Sequence, residues 1–83
     1  MFHATQTDNK LWIFGIDYNK YLDKYLCVEV NGDRILLRVS SNRNGLCYKP
    51  YVMENRMYIK TRVAMPGRKF KVEIRDDVII LTP

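Results

Sequence analysis

Four side chains could do chemistry together. Arg56, Tyr58, Lys60 and Arg62 alternate with Met57, Ile59 and Val63. On a strand, alternate residues share a face, and like-facing residues lie about 6.6–6.8 Å apart, from a rise of about 3.3–3.4 Å each. That spacing is close to the separation of neighbouring phosphates along one nucleic-acid strand. Cations so placed follow a backbone, and a tyrosine among them offers a ring on which a base can stack. Arg34, Arg38, Arg43, Lys49, Arg68, Lys69 and Lys71 extend the patch, depending on how the strands pair. Tyr48 and Tyr51 also fall among the basic residues, where they are expected to pack at a barrel rim with wet hydroxyls.

The charge distribution points the same way. The chain has 14 Lys+Arg and 9 Asp+Glu, a net charge of +5. Residues 1–33 carry three lysines and five acids, whereas residues 34–75 carry eleven cations and two acids, Glu54 and Glu73. Cations interleaved with apolar residues make a basic sheet face rather than a basic tail, and such a face attracts polyanions. Seven of the cations are arginines, whose planar fork suits phosphate better than the point charge of lysine. The bland alternative is that these charges keep a small β protein soluble and guard its edges.

Catalysis is not expected. His3, the sole histidine, lies in a terminal segment without periodicity. Asp76 and Asp77 are consecutive turn residues whose side chains point apart, which does not suit paired carboxylate chemistry. The four glycines are isolated, so no phosphate-cradling loop is present. No cofactor is called for. Cys27, Cys47 and His3 are too few and too scattered for a structural zinc site, which takes four ligands. The two cysteines read as small apolar residues on strands. A disulfide between them would be unusual in the cytoplasm, where the chain is expected because its start has no signal-peptide features. No apolar run approaches the roughly 18 residues of a membrane span.

Eighty-three residues, 47% of them hydrophobic, make one small domain with a marginal core. Turn signals recur evenly: Asp17-Tyr18-Asn19-Lys20, Asn31-Gly32-Asp33, the polar stretch 41–45, Glu54-Asn55, Pro66-Gly67 and Arg75-Asp76-Asp77. Asn31-Gly32 is the strongest hairpin signal and suggests a type I′ turn. Between the turns, Ile35, Leu37 and Val39 alternate with polar residues, as do Phe70, Val72 and Ile74. Together these predict an all-β fold, a small antiparallel barrel or sandwich of six to seven short strands. Residues 1–9 are expected to be a flexible N-terminus and 10–83 a single β domain. Tyr18, Tyr21, Leu22 and Tyr25 have the spacing of a short helical turn. Residues 11–16 and 78–81 are apolar on both faces, so each is a central strand or is covered by a second subunit. The second option predicts a homodimer.

The last third contains Arg56-Met57-Tyr58-Ile59, Pro66-Gly67, the strand-like run 70–74 and the ending Asp77-Val78-Ile79-Ile80-Leu81-Thr82-Pro83. It resembles the SpoVT/AbrB family of swapped-hairpin DNA-binding domains over about 30 residues. Lys60 stands where that family usually has proline, and segment 61–65 is shorter than the family's helix. The resemblance implies an intertwined homodimer whose arginines approach DNA, and it nominates Arg56 and Arg62.

The expected function is therefore nucleic-acid binding, with DNA ahead of RNA, as a regulator or architectural factor. The site residues are Arg56, Tyr58, Lys60, Arg62, Arg34, Arg38, Arg43, Arg68 and Lys69. The competing reading is a virus- or plasmid-like adaptor or inhibitor. It would dock on an acidic host protein through the same basic face or an edge strand.

Overall fold

Valine, leucine and isoleucine at alternate positions flank Gly32-Asp33, and the two flanking segments pair over their whole length. In the computed structural model, which describes residues 2–83, β3 (Tyr25–Asn31) and β4 (Arg34–Ser40) form this hairpin, from Tyr25 opposite Ser40 to Asn31 opposite Arg34. Of the two central residues, Gly32 alone takes a positive φ, +66°. That is the signature of a type II′ turn rather than the expected type I′, which needs both residues positive. Glu54 and Asn55, with φ of 52° and 63°, make the type I′ turn of this chain. It joins β6 (Tyr51–Met53) to β7 (Arg56–Lys60).

The remaining strands are β1 (His3–Thr7), β2 (Lys10–Phe14), β5 (Cys47–Tyr48), β8 (Lys69–Arg75) and β9 (Val78–Thr82). All nine join in one antiparallel sheet of order β5-β3-β4-β9-β8-β1-β2-β7-β6. The all-β class holds, with nine strands in place of six or seven. Among the described residues, the strands outside the expected runs are β1 and the short β6.

Strand β1 corrects the expectation of a flexible N-terminus. It pairs with β2 on one side and β8 on the other. Its inward residues are Ala4 and Gln6, so no large apolar side chain marks its period. Its backbone is nevertheless satisfied on both edges, and β-branched Thr5 and Thr7 suit a pleated surface. The helical spacing over 18–25 yields a 3-10 turn at Tyr18–Lys20, with the Asp17 carboxylate accepting from the Asn19 amide.

A flat sheet of nine strands at about 4.8 Å spacing would be roughly 38 Å wide. No dimension of this molecule exceeds 28 Å, so the sheet curls on itself. The chain shows why. The edge strands β5 and β6 are consecutive, separated by Lys49 and Pro50 alone. Pro50, lacking an N–H, cannot extend either ladder. The two edges therefore meet at a seam without a ladder between them, giving a half-barrel.

The concave side holds the core. Leu11, Ile13, Leu26, Ile35, Leu37, Met57, Ile59, Ile79 and Leu81 are fully buried. The runs 11–14 and 78–81, apolar on both faces, lie on the interior strands β2, between β1 and β7, and β9, between β4 and β8. Cys27 and Cys47 do lie on strands. They face each other across β3 and β5 and are joined as a disulfide, against the expectation of two unlinked apolar residues.

Candidate nucleic-acid interface

Residues of β1, β2, β7 and β8 alternate with the buried core residues and therefore face outward. Strand pairing aligns them in rows. One row runs Lys69, Thr5, Trp12, Tyr58, Tyr51 across β8, β1, β2, β7 and β6. A second runs Thr7, Lys10, Lys60. A third runs Lys71, His3, Phe14 and ends on Arg56.

The rows make a packed surface of rings and cations. Tyr58 lies 4.6 Å from Trp12 and 5.5 Å from Tyr51, centroid to centroid. His3 stacks on Phe14 at 4.5 Å. The Arg56 guanidinium sits 5.3 Å from the Trp12 ring and 5.7 Å from Phe14. The Lys10 ammonium lies 5.8 Å from Tyr58, and the Lys60 ammonium 5.8 Å from Tyr51. At these distances the ring quadrupoles attract the cations. The Trp12 indole N–H donates to Thr7 Oγ1 at 3.0 Å, which fixes the ring's orientation.

The predicted residues are not one patch. Arg56, Tyr58 and Lys60 do share the outer face of β7, with Lys69 in line with them. Arg62 does not. Strand β7 ends at Lys60; the buried Thr61 makes one last bond to the β1–β2 turn, its amide donating to the Asn9 carbonyl at 2.9 Å, and the chain then leaves the sheet as the loop of residues 61–68. Arg62 and Arg68 flank an open depression over the loop of residues 61–68, beside Asp8. Arg34 and Arg38 project from β4, separated from β7 by β9, β8, β1 and β2. Arg38 is also paired with Glu29 at 3.5 Å. Arg43 is exposed in the loop before β5, at the seam.

The tyrosines exchange roles. Tyr58, placed by alternation on the cationic face, is on that face but only 9% exposed, because Trp12 and Tyr51 cover it. Tyr51 is 45% exposed and carries the accessible ring. Tyr48 turns inward against the core.

The residues that sequence reasoning missed are Lys10, Trp12, Phe14 and Tyr51. Lys10 belongs to the acidic first third, and only β2–β7 pairing brings it beside Lys60. The doubly apolar run 11–14 was the one signal for Trp12 and Phe14.

Among the described residues, no group of three or more His, Cys, Asp or Glu could hold a metal. Nor, among those residues, is any helix long and apolar enough to cross a membrane. No protein-family model matches the chain, no curated protein does, and no solved structure does. The segments of the AbrB-like resemblance fall on β7, the 61–68 loop, β8 and β9.

Proposed function

We propose that this protein binds nucleic acid, DNA ahead of RNA, through the outer face of β8, β1, β2, β7 and β6, as a small regulator or architectural factor. One observation carries the reading. Lys10, Lys60, Lys69 and Lys71 surround the ring ladder Trp12–Tyr58–Tyr51 with no acid in the three rows. Arg56 contributes less charge, because Glu54 accepts from it at 2.5 Å. Lysines bind phosphates and release counterions, which makes affinity fall with salt. The test is a fluorescence-anisotropy titration with DNA at low and moderate salt. The double variant Lys10→Ala/Lys60→Ala is expected to weaken binding and lower the salt slope by roughly 1 for each phosphate no longer neutralised. Binding indifferent to salt and to both lysines would refute the reading.

A second reading, a protein-binding adaptor or inhibitor, is favoured by β6. This edge strand has one unpaired side, and it exposes Val52 and Met53. Such an edge accepts a strand from a partner, and a second copy pairing there is the homodimer this fold offers. Cytoplasmic residence stays with the proposal. A cytoplasmic chain keeps the Cys27–Cys47 bond only if it persists against cellular reductants, which thiol labelling of freshly lysed cells decides.

A further inference from the structure

The seam between the sheet's two edges is a cleft of about 230 Å³ lined by Tyr25, Arg43, Tyr48, Lys49, Tyr51 and Lys60. Its residues come from five places in the fold: the start of β3, the loop before β5, β5 itself, the Lys49-Pro50 link with β6, and the end of β7. The curl of the sheet gathers them. Three cations and three phenol rings line the cleft, and no carboxylate does. None of the three cations has an ion-pair partner among the described residues, whereas Arg38, Arg56 and Arg75 are all paired. Uncompensated positive charge in a concave site concentrates field and draws anions.

The rings narrow the choice of anion. Tyr51 lines the cleft and begins the stack that continues through Tyr58 to Trp12. An inorganic anion or an acidic peptide would use the cations and leave the rings idle. A duplex would present phosphates but keep its base faces stacked away. A single strand presents both phosphates and free base faces, and small β-barrels hold it on cations and aromatic rings together.

We propose that the seam cleft is a subsite for single-stranded nucleic acid, with a phosphate held among Arg43, Lys49 and Lys60 and an unstacked base against Tyr51. The inference rests on the nucleic-acid reading above and sharpens it to a preference for unpaired strands.

The test is anisotropy of the full chain with labelled oligothymidine of about ten nucleotides, within the roughly 4–16-nucleotide footprint of such folds. A hairpin duplex of similar length serves as the second probe. The single strand is expected to bind about tenfold tighter. Tyr51→Ala is expected to weaken single-strand binding roughly tenfold and so collapse the ratio of the two affinities. Lys49→Glu, an exposed change in the link, is expected to weaken single-strand binding at least as much. If both variants keep wild-type affinity for oligothymidine while Lys10→Ala/Lys60→Ala still weakens the duplex, the cleft is not the site and the broader reading survives. Failure of the wild type to bind either probe overturns both. Displacement of oligothymidine by polyglutamate at equal concentration of charge would assign the cleft to acidic proteins and overturn the single-strand proposal.

Discussion

Tyr51 stands opposite Tyr58 across the β6–β7 ladder with their rings 5.5 Å apart and 25° from parallel, and this pairing buries one ring while it presents the other. Tyr58 is covered and structural in consequence, whereas Tyr51 remains open to solvent.

That division predicts unequal effects of two chemically identical changes. Tyr58→Ala empties the space between Trp12 and Tyr51 and should cost about 3 kcal/mol, the lower end for a large buried aromatic. Tyr51→Ala removes one aromatic pair and should cost about 1 kcal/mol. Urea denaturation of both variants measures the difference.

Arg56 and Arg62, paired by the sequence as equivalent phosphate ligands, should separate. Arg56 lies over Trp12 and Phe14, so Arg56→Ala is expected to cost about 1 kcal/mol of stability. This exceeds the roughly 0.5 kcal/mol allowed for an ordinary surface change. Arg62→Ala should leave stability and the salt slope of DNA binding unaltered, because Arg62 lies off the ringed face. Thermal melts and salt titrations of each single variant decide this.

Reduction of Cys27–Cys47 should destabilise the protein by about 3 kcal/mol, from the loop-closure entropy of a 20-residue separation. Strand β5 is two residues long, so its amides should lose exchange protection first. Thiol titration of the unreduced, denatured chain is expected to find no free cysteine.

Tyr21 is buried, and burial raises its phenol above the ordinary value, with the Asp17 carboxylate adding to the shift. The folded state thus prefers the protonated ring. Its contribution to stability is present in full below about pH 10, the unfolded value, and is lost as pH climbs through the higher folded pKa. Tyr21→Phe should flatten that alkaline decline, as read from denaturation midpoints between neutral pH and pH 11.

Blocking the β6 edge tests the homodimer. Val52→Lys together with Met53→Lys places charge on the unpaired strand. If the wild type is a dimer by light scattering at micromolar concentration, this variant should run at the mass of one chain. A wild type of monomeric mass removes the dimer from the proposal.

The sequence alone determined the all-β class, the hairpin turns at Asn31-Gly32-Asp33, Glu54-Asn55 and Arg75-Asp76-Asp77 and the inward set in β4, β7 and β8, because turn chemistry and a period of two are local properties. It also identified β2 and β9 as strands apolar on both faces. Tertiary structure decided the rest. β1 was illegible because Ala4 and Gln6 point inward, so pairing on both edges, not hydrophobic period, makes it a strand. The candidate face was only partly legible. Alternation placed Arg56, Tyr58 and Lys60 together, but it could not show that β2 delivers Lys10 and Trp12 beside them. Nor could it show that β7 stops before Arg62, or that β5 and β6 meet at a seam. Each of these depends on which strands are neighbours, and neighbours in a sheet are chosen by interactions between residues far apart in the chain.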